Sequence, residues 1–294
     1  MKIKFPLWIL SLFCLTSAVV AQQAQMEGQP ARSQKPTTID LNSRPKPIQD
    51  NSFLIEEAYN QENGVIQHIN AFLRQPNGDW LFTFTEEWPI HSQKHQLSLT
   101  IPALGFINPS ETCKGIGDIA LNYRYQLAGD GNSIVAIAPR ISLLLPTGDE
   151  KKGHGSGATG IQINVPISIQ PSRLLVTHTN VGMTYTPLAK NASGAKANLS
   201  DYNLGQSFIW LTNLNFNAMV ELLWQSNESI IASKSTERNK TFTVNPGIRW
   251  AHNFRNGLQI VPGIGMPIEL GSNRPKYGVF LYISFEHPLK KGTD

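Results

Sequence analysis

Asp118, Arg124, Arg140, Glu221 and Arg249 are the residues of this chain best placed to do chemistry. Each belongs to a run that alternates apolar and polar residues, and each falls on the polar side. Ile119, Leu121, Tyr123 and Tyr125 oppose Asp118, Asn122, Arg124 and Gln126; Val135, Ile137, Pro139, Ile141 and Leu143 oppose Ala136, Ala138, Arg140 and Ser142. Phe216, Ala218, Val220, Leu222 and Trp224 oppose Asn217, Met219, Glu221 and Gln225, and Phe242, Val244, Pro246, Ile248 and Trp250 oppose Thr243, Asn245, Gly247 and Arg249. Val279, Leu281, Ile283 and Phe285 oppose Gly278, Phe280, Tyr282, Ser284 and Glu286. Successive strand side chains point to opposite faces, so in these runs one face collects every charge and the other none. Charges gathered inside a closed sheet can ring a pore and select solutes by sign. Alternatively they pair with one another and fill a narrow interior, because an unpaired buried charge is costly. For the strand number counted below, the filled interior is the favoured expectation.

Other constellations fail on their surroundings. Gly115-x-Gly117-x-x-Ala120 has the letters of a dinucleotide fingerprint, but the alternation runs on as strand where the phosphate needs a helix N-terminus. Residues 148–155 begin like a phosphate loop, yet His154 and Gly155 stand where Lys and Ser/Thr are required. His91 and His95 have the spacing of a helical metal pair without the Glu after the first His, in strand and turn surroundings. Asp149, Glu150 and His154 could attract a divalent cation, though a solvated loop is the favoured reading. There is no GxSxG elbow. No cofactor, metal centre or catalytic set is therefore expected.

The elements that must hold the five charges are strands. From residue 64 onward twelve candidates can be counted: 65–74, 78–88, 94–102, 115–127, 133–145, 159–170, 173–186, 202–212, 214–225, 241–252, 257–269 and 276–287. Residues 160–170 are the purest, with Ile161, Ile163, Val165, Ile167 and Ile169 facing one way and Gln162, Asn164, Pro166, Ser168 and Gln170 the other. The faces of the first and eighth candidates stay ambiguous. Stretches 148–159, 188–201 and 226–240 read as long polar loops, and 170–173, 211–215 and 253–256 as short turns. Long and short connections on opposite ends fit a transmembrane barrel with external loops and periplasmic turns. In the earlier half, 75–78 is short on the external side and 89–94 longer on the internal side, against that pattern. Trp88, Tyr125 and Trp250 fall near the expected periplasmic ends, and Tyr185 and Trp224 near the external ends, as two aromatic girdles would. Pro139, Pro166, Pro246 and Pro262 sit inside strands, where a ladder must be interrupted, so bulges are expected there.

The 294 residues are 16% charged with a formal net charge of +4; removing Lys2 and Lys4 leaves +2, which is no nucleic-acid signature. Residues 1–21 have a basic start, an apolar stretch and a small-residue cut site, an export signal. After it no apolar stretch is long enough for a spanning helix. Residues 22–50, polar and proline-containing, read as a flexible periplasmic extension, and residues 51–63 as a short helix or cap, of which 53–62 could sit in the lumen as a plug with Glu56 or Glu57 meeting an arginine. Cys113 is then the only cysteine, so no internal disulfide forms. Two architectures share this pattern, a soluble all-β sandwich and an outer-membrane barrel. Segment length and loop order favour an all-β, up-and-down antiparallel barrel of about twelve strands over residues 51–294.

Residues 53–62 (FLIEEAYNQE), 115–127 (GIGDIALNYRYQL) and 139–149 (PRISLLLPTGD) resemble the outer-membrane barrels named for the meta-pathway of phenol degradation. That resemblance implies a channel for small hydrophobic or aromatic molecules in outer-membrane lipid. Residues 276–285 resemble the C-terminal signal read by the outer-membrane assembly machinery, although the chain runs nine residues past Phe285. Three functions follow as alternatives: a solute channel, a non-conducting structural or surface-interaction barrel with a filled lumen, and a lipid-modifying enzyme at the outer rim. The channel leads, with small-molecule solute and lipid as partners and nucleic acid excluded.

Overall fold

The computed structural model describes residues 48, 51–107, 112–271 and 275–289. The expected export signal lies outside the described residues, and so does the expected extension 22–50 apart from Ile48, which is buried against Ala251 and Val261.

Seventeen strands form one sheet. They are β1 Val65–Arg74, β2 Trp80–Ile90, β3 Ser92–Ile107, β4 Thr112–Ile116, β5 Ile119–Tyr125, β6 Val135–Ile137, β7 Arg140–Leu145, β8 Gly160–Ser172 and β9 Leu175–Lys190. After them come β10 Lys196–Asn213, β11 Phe216–Ala232, β12 Ser235–Trp250, β13 His252–Asn253, β14 Gln259–Gly265, β15 Ile268–Leu270, β16 Lys276–Tyr277 and β17 Val279–Pro288. Five interruptions, between β4 and β5, β6 and β7, β12 and β13, β14 and β15, and β16 and β17, leave twelve staves. All pairings are antiparallel, and β1 pairs with β17 from Val65↔Pro288 to Arg74↔Val279, closing the barrel.

A proline lies at or across from every interruption. Pro139 is in the β6–β7 break with Pro166 opposite, and Pro102 accepts from Gly117 N–H at the β4–β5 break. Pro246 accepts from Met266 N–H and Pro267 from Gly278 N–H, while Pro262 faces the break at Ala251. A proline has no N–H to give the neighbouring stave, so the ladder opens there and resumes beyond. Three of the five breaks thus fall at the strand prolines where bulges were expected, and the other two, at Pro102 and Pro267, were not foreseen.

The hydrophobic pattern is inside out. Ile161 and Ile163 of β8 are 49% and 51% exposed, whereas Asn164 and Ser168 are 4% and 0% exposed. Leu121, Ile141, Leu143, Val181, Leu204, Ile248 and Leu281 are likewise exposed on the outer wall. Such a band excludes a second packed sheet over the oily face and fits hydrocarbon as the solvent there. Trp250, Tyr185 and Tyr202 are among its exposed aromatic residues.

Two of the expected loops are strands. β9 continues to Lys190 and β10 starts at Lys196; β11 continues to Ala232 and β12 starts at Ser235, so 188–201 and 226–240 are mostly ladder. Polar residues on both faces of these stretches remove the alternation without removing the ladder hydrogen bonding. Arg238 lies 2.9 Å from Glu228 and 5.3 Å over the Tyr202 ring on this protruding hairpin. The internal connection at 89–94 shrinks to His91, whose positive φ of 57° makes the turn. On β1, the ambiguous face resolves with Gln67 and Ile69 buried inward.

Candidate functional site

Residues 51–61, where a short helix or cap was expected, form no helix, because side chains of the wall take up their backbone N–H groups; they cross the lumen as an irregular arch, buried along nearly their whole length. Among the described residues no backbone–backbone hydrogen bond joins this arch to the wall. Wall side chains take that place. Glu221 Oε1 accepts from Leu54 N–H at 2.7 Å and Ile55 N–H at 3.1 Å, while its Oε2 accepts from Asn245 Nδ2 at 2.6 Å. Asn180 works as a clamp, accepting from Glu56 N–H and donating to Glu56 O, both at 2.8 Å. Ser168 Oγ accepts from Ala58 N–H at 2.7 Å. Gln126 accepts from Asn60 N–H at 2.9 Å and donates to Ala58 O at 2.7 Å, and Gln96 accepts from Gln61 N–H at 2.7 Å.

The arginines complete the cage. Arg124 donates to Tyr59 O at 2.6 Å, Asn60 Oδ1 at 2.8 Å and Glu57 O at 3.2 Å, and lies 3.8 Å from Glu87. Arg249 donates to Asn51 O at 2.5 Å. Arg140 donates through Nε and Nη2 to the two carboxylate oxygens of Glu56 at 2.9 and 2.6 Å. It is further bonded to Asn122, Gln162 and Ser142. Burial alone would push the Glu56 carboxyl up, but the Arg140 charge and hydrogen bonds, helped by Arg124, hold it below its ordinary 4.5.

Register explains why these groups meet. Gln96 faces Arg124, Arg124 faces Arg140, and Arg140 faces Asn164 on successive staves; Ser207, Glu221 and Asn245 form a second such row. Two arginines side by side in a low-dielectric interior need anions, and Glu56 and Glu87 supply them. Glycines provide the remaining fit. Gly247, Gly263 and Gly265 leave room that a Cβ would close, and the Phe53 ring occupies it, 5.3 Å from the Phe280 ring and 5.5 Å from that of Tyr282.

Of the five charges singled out in the sequence, Arg124, Arg140, Glu221 and Arg249 converge on the arch. Asp118 stands apart: it accepts from Gly148 N–H at 3.0 Å and from Ser156 N–H and Oγ, both at 2.7 Å, tying down the 148–156 loop. In that loop Asp149 caps the 3-10 turn Glu150–Lys152 and His154 stacks on Phe106. The three do not cluster as metal ligands, and no group of three or more candidate ligands occurs among the described residues. The Ser168 hydroxyl lies 2.7 Å from His178 Nδ1, but it also caps the buried Ala58 N–H, which leaves it no approach to a substrate.

The arch divides the lumen. Glu56 and Arg140 line two cavities of about 280 and 510 Å³. Glu57, Tyr59 and Arg249 line one of about 570 Å³ on the periplasmic-turn side.

Gln96, Gln126, Ser168 and Asn180 were not singled out in the sequence, being neutral members of inward faces. The signal that could have found them is the recurrence of amides and hydroxyls at one height on consecutive staves.

No protein-family model matches the chain, and no curated protein does. Among solved structures it is similar to the COG4313 outer membrane channel from Pseudomonas putida F1, with 9% identity and a TM-score of 0.59, over 77% of this chain and 96% of that one. It also aligns with the NanC porin at 10% identity and a TM-score of 0.47, covering 75% of this chain and 98% of that one. For the CymD monoaromatic hydrocarbon channel the values are 9% and 0.40, covering 78% and 89%. The match to the Pseudomonas protein shows that the chain shares that protein's β-barrel fold.

Proposed function

We propose that this protein is an outer-membrane channel for small solutes, closed in the conformation described by residues 51–61 acting as a plug. The observation that carries the reading is the way the arch is held. Each wall–arch hydrogen bond is made by a side chain and contributes about 0.5–1.5 kcal/mol net, so the arch can leave without breaking the barrel ladder. Cavities on both sides and the fold shared with a known channel support the same reading.

The remaining assignments accompany it as proposals. Residues 1–21 are the export signal and 22–50 a periplasmic extension. Outer-membrane lipid covers the apolar band, and the assembly machinery reads the C-terminal strand. The resemblance of the quoted stretches supports kinship with the barrels named for the meta-pathway of phenol degradation.

Reconstitution into planar bilayers tests the channel. The full-length protein should show small or intermittent conductance, and a variant lacking residues 51–61 should be persistently open. A second reading, a filled non-conducting barrel, is favoured by the completeness of the wall–arch contacts. It prevails if neither protein conducts and neither passes solutes into liposomes.

A further inference from the structure

The Arg140–Glu56 pair has the build of an occupied binding site. Two parallel N–H···O bonds, at 2.9 and 2.6 Å, give the fork geometry by which a guanidinium recognises a carboxylate. The guanidinium does not depend on Glu56 for its position, because Asn122 and Gln162 hold it at 2.9 and 2.8 Å and Ser142 adds a third bond. Its carboxylate partner comes from the removable arch and not from the wall.

The pair is also the accessible one. The Arg140 and Glu56 side chains are 14% and 29% exposed, against 3% for Arg124, and both line the same two cavities. Around them the larger cavity presents mostly amides and hydroxyls, among them Thr184 and Asn203, with the Asp201 carboxylate at its wall, while the smaller one sets Thr83 and Thr85 beside Glu87, Phe53 and Tyr282. Such a lining offers hydrogen bonds at many points and suits a solute that is polar along its length.

We infer that Arg140 is a receptor for the carboxylate of a small polyhydroxylated acid entering the lumen, and that Glu56 is a tethered mimic of that carboxylate, displaced when the solute binds. This deepens the channel reading and rests on its premise that the arch moves. Exchange of one carboxylate for another at Arg140 conserves charge at the site, so the solute removes the ionic anchor of the arch without leaving a buried cation bare.

Calorimetric titration of the purified full-length protein in detergent tests the site with three probes: sodium gluconate, sodium benzoate and the neutral polyol glucitol. Gluconate should bind, and Glu56→Gln, which removes the competitor, should tighten it at least tenfold. Arg140→Lys, which keeps the charge and loses the fork, should weaken it at least tenfold, with assembly checked by heat-modifiable gel migration. Glucitol should not bind. The assignment is overturned if gluconate binds Glu56→Gln no more tightly than the unmodified protein, or if Arg140→Lys retains full affinity. Benzoate binding as tightly as gluconate overturns the polyhydroxylated class. Liposome flux separates the two layers: gluconate binding without flux in any variant supports the site and removes the channel, whereas flux indifferent to Glu56→Gln and Arg140→Lys removes the site.

Discussion

Glu221→Ala should release the apex of the arch while leaving the barrel assembled. One oxygen of Glu221 satisfies two arch N–H groups, those of Leu54 and Ile55, at a site with no solvent exposure. Truncation orphans both. A buried donor left without a partner costs about 1–3 kcal/mol, so the docked arch loses about 2–6 kcal/mol, at least a ~30-fold rise in its undocked population. Glu221→Gln keeps a carbonyl oxygen for the two N–H groups, and Asn245 can turn its amide to accept from the new Nε2; its effect should be under about 1.5 kcal/mol. Hydrogen exchange in detergent micelles reads this directly. Amides 54–56 should exchange at least 30-fold faster in Glu221→Ala, with strands β10 and β11 unchanged, and close to the native rate in Glu221→Gln. Native protection at 54–56 in an assembled Glu221→Ala barrel would show that this carboxylate does not hold the arch.

Phe53→Ala removes a buried aromatic ring and should destabilise docking by about 3–5 kcal/mol. Gly263→Val, which fills the space that ring occupies, should give the same rise in single-channel open probability, and a native closed time in both would refute the cradle. The Glu56 carboxyl titrates below its ordinary 4.5, so its stabilisation is complete above that value and lost as pH falls through the depressed one. The Glu56 contribution to open probability should therefore appear as a rise only below the ordinary carboxylate value, with Glu56→Gln lacking that step; a step retained in Glu56→Gln assigns it to another group. Shortening the protruding hairpin by joining Glu228 to Arg238 removes ladder outside the hydrocarbon band, and the heat-modifiable gel shift and gating should both persist. Loss of assembly would mean that the hairpin supports the wall.

Alternation made the barrel legible: Ile161 to Ile169 against Gln162 to Gln170 already separates an oily face from a wet one. The same alternation put Arg124, Arg140, Glu221 and Arg249 on one side of their strands, and interruptions were legible at Pro139, Pro166, Pro246 and Pro262 but not at Pro102 or Pro267. The loops at 188–201 and 226–240 were misread because outer-face polarity looks the same in a solvated strand and in a loop. The convergence of Arg124, Arg140, Glu221 and Arg249 on one segment was not legible, since it depends on stave register, which alternation leaves open. Gln96, Gln126 and Asn180 escaped for a related reason. An inward amide looks like wall filling until something inside the wall is known to need its hydrogen bonds.

The arch enters and leaves at the same mouth. Ile48 packs near the β13–β14 turn, Val65 starts β1 at the edge shared with Pro288, and the apex at Leu54 to Glu56 borders the 510 Å³ cavity. A segment tethered in this way has its two ends at one rim of the barrel, so whatever frees its middle leaves it on a leash at that rim, and the opposite rim carries none of its covalent connections.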